Sequence, residues 1–361
     1  MTTNDQPLLR PKDPSGFGLG FIALCLFGYI LHAGAAILIP FVIAVFVWYL
    51  INTLARFLTR VEVRHTELPR FVRVFMSMTV LVGAVWFGYK LIGANAAAIL
   101  EAAPVYQKKF QIILSDVLLV FPEQYRPDPR DFNVGAYMTV LVKTFTGIAG
   151  KTLVVLFYTG FLLYEQRFFA RKLHEITTSD TAEARVHNVL SNIDDKVQRY
   201  IAVKVIVSLM TGVSTWLLLM FFHVDFAAFW GVMAFVLNFI PYVGSIAAVV
   251  LPSVIALVQD GDPVSVTAVV LGLSLLQIFW AHVMEPRYLG DSLNLSPICI
   301  ILALAFWGLI WGVPGMFLSV PILSMMVIIM SQFDSTRAFA VLLSRTGDVD
   351  HAPAPKQKRK R

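Results

Sequence analysis

Two stretches of the chain contain no Asp, Glu, Lys or Arg: 226–259, with 34 residues, and 292–333, with 42. A helix needs only about 20 apolar residues to cross a bilayer. As continuous helix the shorter stretch would measure ~51 Å, against a hydrocarbon core of ~30 Å. Both stretches also carry helix breakers near the middle. The first contains NFIPYVGSIAAVVLP (238–252), with Pro241, Gly244 and Pro252; the second contains GVPG (312–315) and then Pro321. Each stretch therefore either crosses once as a long kinked helix or dives in and returns as a re-entrant hairpin that turns at its Pro/Gly cluster.

The rest of the chain agrees with a membrane setting. It is 57% hydrophobic and only 14% charged, where a soluble domain carries roughly 25% charged residues. The reading is an all-α integral membrane protein with about eight hydrophobic segments. Apolar runs at 17–31 and 33–54 read as a tight pair of spans, followed by 74–99, 144–164, 205–222, the broken 226–259, 264–284 and the broken 292–333. The four C-terminal runs pair up as plain span then broken span, twice, which predicts an inverted repeat in this half. The letters AFWG recur at 228–231 and 305–308. Residues 1–164 form an N-terminal membrane region, 165–204 a helical segment leading into 205–333, the transport region, and 334–361 a basic tail. Between 181 and 200, Val186, Val189, Leu190, Ile193, Val197 and Tyr200 recur at helical spacing, and Asp180 with Glu183 resembles a capping box. This amphipathic helix continues into the fifth span and offers a face for homo-oligomer contact. Residues 101–120 also read as helical, followed by the proline-rich connector FPEQYRPDPRDF.

Loop charges orient the chain. Residues 56–73 hold five basic and two acidic residues, the tail from Asp334 holds seven and three, and 101–143 is balanced at five each. Lys and Arg concentrate on the cytoplasmic side. Both termini are therefore expected inside and 101–143 outside, in a bacterial inner membrane. The terminal KQKRKR reads as a tail facing lipid headgroups, not as a nucleic-acid patch. The N-terminus shows no removable signal peptide. Cys25 and Cys299 sit in apolar runs and suggest neither a disulfide nor a metal site.

The chemistry is sparse. There is no phosphate-binding Gly-rich loop, so ATP is not the driver, and no HExxH, CxxC or GxSxG; no enzyme, no metal and no cofactor are expected. Backbone groups freed at a break must be buried in protein or line a polar cavity. Paired broken helices are how many secondary transporters build a midplane site. The substrate-site candidates are Asn238, Pro241, Tyr242, Gly244 and Ser245 on the first break, and Val313, Pro314 and Gly315 on the second. Uncharged polar groups suit a small, neutral, hydroxyl-rich solute. From Val205 to Phe333 the charged residues are Asp225, Asp260, Asp262, Glu285, Arg287 and Asp291. Ionisable groups in membrane segments are costly and often functional, so His282, Glu285 and Arg287 are candidates for a gate, or for coupling to a proton or cation. Glu285 and Arg287 could equally form an interfacial ion pair worth little. Asp260 and Asp262 read as a solvated turn, and His223 and Asp225 as an outer loop.

The runs NFIPYVGSIAAVVLPSVIAL, EPRYLGDSLNLSP and LAFWGLIWGVPGMFLSVPI resemble the autoinducer-2 exporter (AI-2E) family of bacterial inner-membrane proteins, most strongly over 197–330. The resemblance implies a transporter that works without ATP as an oligomer. Family members are linked to export of a sugar-like quorum signal, and some to sodium/proton exchange. Ser296 stands where many relatives place a histidine. Two readings remain beside the exporter: a sodium/proton antiporter, which would be expected to bury a carboxylate deep in the membrane, and a non-transporting scaffold, which would not need paired breaks.

Overall fold

In a computed structural model, residues 14–58, 69–119, 128, 131, 133–176, 180–289 and 294–348 are described, and helices account for nearly all of them. The elements are α1 (Pro14–Ala33), α2 (Ala35–Phe57), α3 (Arg70–Leu118), α4 (Val134–Glu165), α5 (Phe169–Ile176), α6 (Asp180–Phe221), α7 (Ala227–Leu237), α8 (Val243–Asp260) and α9 (Pro263–Gln277). A π-helical turn (Ile278–Met284) joins α9 to α10 (Glu285–Leu289), and α11 (Pro297–Trp311), α12 (Val313–Ser331) and α13 (Asp334–Leu343) follow. Five stretches of helix are long and apolar enough to cross a membrane: 35–57, 70–116, 186–221, 263–289 and 313–331. The chain is a multi-pass membrane protein. The proline-rich connector, the capping box at 180–183, most of the basic 56–73 loop, KQKRKR and Asp291 lie outside the residues, or the side chains, that are described.

The amphipathic segment and the fifth span are one 42-residue helix, α6. Val186, Val189, Leu190 and Ile193 are half-buried on it, and Val197 and Tyr200 are buried. Residues 101–118 are likewise the end of the 49-residue α3, which runs through Pro104.

Three expectations need correction. The first two apolar runs are not a hairpin. A single residue, Gly34, separates α1 from α2; it donates to Ile30 O and accepts from Leu38 N, so the hydrogen bonds run on through a bend. Pro321 does not break the last run, and Pro252 does not break the sixth: both lie inside continuous helices, α12 and α8. A proline removes one hydrogen bond and kinks a helix, but the next turn resumes where neighbouring helices hold it; Pro321 is fully packed in the core. Thirdly, the tail is not all solvated. α13 folds back on α12, with Ala340 buried, and Leu295 pairs with Ser344 as an isolated bridge.

The broken stretches fold as helix pairs whose two ends come together. Before α7, Asp225 N donates to the Gln259 side chain at 2.7 Å, and Gln259 Nε2 donates to His223 O at 2.9 Å. So α8 ends beside the place where α7 begins. Tyr106 of α3 also donates to Asp225, and Lys109 reaches Gln259 O. The end of α3 and the 223–225 turn thus share one end of the bundle. The start of α11 likewise lies against the end of α13, through Ser296 N donating to Leu343 O at 3.0 Å.

Candidate functional site

The first break is a tight, fully bonded turn. Asn238, Phe239 and Ile240 donate to Ala234 O, Val236 O and Leu237 O, and Gly244 donates to Ile240 O. Pro241 has no N–H to continue the ladder. Val243 N then closes on Pro241 O at 2.6 Å across Tyr242, whose φ and ψ are 59° and −59°. This is the γ-turn with positive φ, the rare and strained form. A bulky residue held there costs on the order of 1–3 kcal/mol, and such strain collects at functional sites. The second break needs one residue, Gly312, with φ 63° and ψ −141°, a region that glycine alone enters readily.

Both breaks let backbone approach backbone. A Cβ at Gly244 would stand 1.7 Å from Leu237 O, and one at Gly315 would stand 1.9 Å from Trp307 O. In each hairpin the glycine just after the turn receives a carbonyl of the preceding helix. Here the two halves correspond. The repeated AFWG does not carry that correspondence: Gly231 packs against Trp216 and Gly212 of α6, whereas Gly308 faces Met316 of its own hairpin.

The bonding limits what the first break offers a solute. The amides of Asn238, Phe239, Ile240, Val243 and Gly244 are all spent inside the turn. Its outward chemistry is that of side chains. Asn238 is only 2% exposed and donates to Ser208 Oγ at 3.0 Å, pinning the break to α6. Tyr242 is exposed and Ser245 half-buried. Val313 and Pro314 open α12, with Pro314 in its first turn.

Ser208 belongs to a buried polar face of α6. Gln198, Lys204, Ser208, Thr211 and Thr215 are all buried, at spacings that keep them on one side of the helix. They extend over ~26 Å of helix, close to the thickness of the hydrocarbon core. Part of this face serves close packing: a Cβ on Gly212 would come within 2.7 Å of Gly231 O. Small residues at helix contacts in membranes do this generally. Lys204 is different. Its Nζ lies 2.8 and 2.9 Å from the two Glu285 carboxylate oxygens, with the Lys and Glu side chains 6% and 16% exposed.

Glu285 therefore pairs with Lys204, not with Arg287 or His282. Arg287 and His282 are both exposed. The cause is local. Pro286 cannot donate and its ring crowds the carbonyl four residues back, so the preceding turn widens and Glu285 N reaches Trp280 O, five residues away. The widened turn takes His282 and Glu285 out of the helical register that would align them. Such π-turns are frequent at functional sites. Trp280 Nε1 donates to Ser214 Oγ at 3.0 Å, tying this turn to α6.

One more polar group is unaccounted for. Gln277, the last residue of α9, is 6% exposed, and neither its amide nitrogen nor its amide oxygen has a protein partner. Buried polar atoms are rarely left so, and each asks for a ligand or water. Lys204 and Gln277 escaped the sequence reading for simple reasons. The fifth span was begun at Val205, one residue past Lys204, and a lone glutamine in an apolar run carries no pattern. A cation one turn before Ser208, inside a helix that must cross lipid, was the available signal.

A family model for AI-2E family transporters matches residues 19–334. This chain belongs to the AI-2E transporter family. It is 28% identical to the AI-2 transport protein TqsA of Escherichia coli over 338 residues, 90% of this chain and 94% of that protein. It is 27% identical to a putative transport protein of Borreliella burgdorferi, covering 85% and 84% of the two chains, and 28% identical to the putative transport protein YhhT of Escherichia coli, covering 87% and 89%. The family match and these relatives, which are transport proteins, support the reading as a membrane transporter.

Proposed function

We propose that this AI-2E transporter is a secondary exporter of a small, polar, uncharged solute, autoinducer-2 being the first candidate, and that the solute crosses at the paired broken helices. The observation that carries this is the shared construction of the two breaks: each glycine after the turn, Gly244 or Gly315, is packed on a carbonyl of the preceding helix. A packing kink has no reason to be built twice in this way. The candidate surface comprises Asn238, Pro241, Tyr242, Gly244 and Ser245 with Val313, Pro314 and Gly315, and Gln277 adds the unpaired amide that a hydroxyl-rich solute would satisfy. The relative TqsA bears the name of an AI-2 transport protein, which supports the choice of cargo.

On this reading the two hairpins are re-entrant. The junction of α7 with α6 and the end of α8 lie together at the end of the bundle where α3 ends, through Gln259, Asp225 and Tyr106. Glu285 lies toward the other end, where Arg199 Nη2 also reaches Tyr288 O at 3.4 Å. That other end is cytoplasmic, by the basic loop at 56–73, and so are both termini, in the inner membrane. A homo-oligomer forms through the half-buried face of Val189 and Ile193, read by particle mass in detergent.

The test is efflux of autoinducer-2 from vesicles holding the purified chain, without ATP. Efflux above protein-free vesicles is expected, and more so under a proton gradient. Efflux equal to protein-free vesicles, from protein shown to be folded, would overturn the assignment of cargo.

A further inference from the structure

A carboxylate buried in the membrane can be neutralised by an ammonium, a proton or a metal cation, and at Glu285 the ammonium of Lys204 now holds that place. Among the described residues no three His, Cys, Asp or Glu side chains converge to hold a metal ion, so the exchangeable partner here is a proton. We propose that Glu285 is the proton-coupling site of this transporter and that Lys204 is the internal cation a proton displaces. This rests on the secondary-transport reading above.

The charges balance in one step. A proton enters and bonds to a Glu285 oxygen, making a neutral acid, and the Lys204 ammonium loses its counter-ion. A buried unpaired ammonium is unfavourable, so Lys204 must turn to other acceptors. One helical turn along the same face stands Ser208, whose oxygen already accepts from Asn238. Lys204 therefore sits between the carboxylate and the pin that holds the first break to α6. Its release competes for Ser208 and loosens Asn238. Departure of the proton draws Lys204 back and resets the pin.

The other charged and titratable groups on the elements packed against Glu285 are few. α6 contributes buried Tyr200, and Arg199, which is bonded to Tyr288 O; the π-turn contributes exposed His282; α10 itself contributes exposed Arg287 and Tyr288. None of these is hydrogen-bonded to the Glu285 carboxylate as Lys204 is.

Two measurements on the reconstituted full chain test this, and neither needs the cargo. Infrared difference spectra across a pH titration are expected to show a protonated-carboxyl signal that is absent from Glu285→Gln and retained in Lys204→Arg. In a background lacking Cys25 and Cys299, a cysteine at Ser245 is expected to react with a thiol reagent at least several-fold faster at low pH than at high pH. Glu285→Gln should abolish that dependence. Lys204→Gln should keep the carboxyl signal and lose the labelling response, because the proton then binds without an arm to move. An unchanged carboxyl signal in Glu285→Gln, or an unchanged pH response of labelling in Lys204→Gln, would reduce the pair to a structural link. Failure of autoinducer-2 efflux alone would leave these results standing and would count against the cargo.

Discussion

Gly244→Ala is expected to destabilise the detergent-solubilised protein by about 3 kcal/mol or more, with a clear fall in Tm and in folded yield. Two effects compete. Gly244 lies in the first turn of α8 with no positive φ, so alanine would gain up to about 1 kcal/mol of helix propensity. Against that, its methyl carbon would stand 1.7 Å from Leu237 O and 2.6 Å from Leu237 C. Those are backbone atoms of the facing helix, which cannot rotate away as the end of a side chain could. The hairpin must open, and the steric cost exceeds the propensity gain. Gly315→Ala meets the same obstacle at 1.9 Å from Trp307 O and should behave alike. Gly93→Ala on α3, with nothing within 4 Å, is the control and should leave Tm unchanged or slightly raised. This revises the view of the break as a place where alanine merely lets helix run on: Gly244 is needed to assemble the hairpin before it can serve a solute.

Lys204→Met is expected to cost about 3–5 kcal/mol, because it strands a buried carboxylate. Removing both partners, with Lys204→Met and Glu285→Met together, should recover most of that loss, since a well-packed apolar pair is often as stable as a buried ion pair. The double-mutant cycle, read by thermal unfolding in detergent, should therefore show a large coupling energy between the two sites. The exposed contact of Arg56 with Asp194, at 2.6 Å and with side chains 58% and 30% exposed, is the contrast. Arg56→Met should cost less than about 1 kcal/mol. Equal costs for Lys204→Met and Arg56→Met would mean that Lys204 and Glu285 are not desolvated together.

The sequence showed the elements better than it showed their partners. Uncharged length exposed the two broken stretches, and Pro241 and GVPG located both turns, because local backbone chemistry decides where a helix stops. The same logic overreached at Pro252 and Pro321, where tertiary packing carries the helix past a proline. Charge pairing was less legible. Glu285 was singled out correctly as unusual, but its partner lies 81 residues earlier in the chain, and no local pattern links the two. Likewise the repeated AFWG looked like a trace of symmetry, yet its glycines pack on different neighbours. The resemblance between the halves lives in geometry, in a glycine meeting a carbonyl. The expectation that the break presents free backbone amides also missed the turn, since a γ-turn at Tyr242 uses them internally.

The central claim is that solute passes at the break that Asn238 pins to Ser208. Its most direct test is autoinducer-2 efflux from vesicles holding Asn238→Leu at a density matched to the unaltered chain. Leucine fills nearly the same space and cannot bond to Ser208 or to a hydroxyl. The account predicts folded protein, little change in vesicle density, and efflux reduced about tenfold or more, the loss of one to two kcal/mol of buried hydrogen bonding in the transport step. Efflux at the unaltered rate from folded Asn238→Leu would contradict it, and would place the route away from the broken helices.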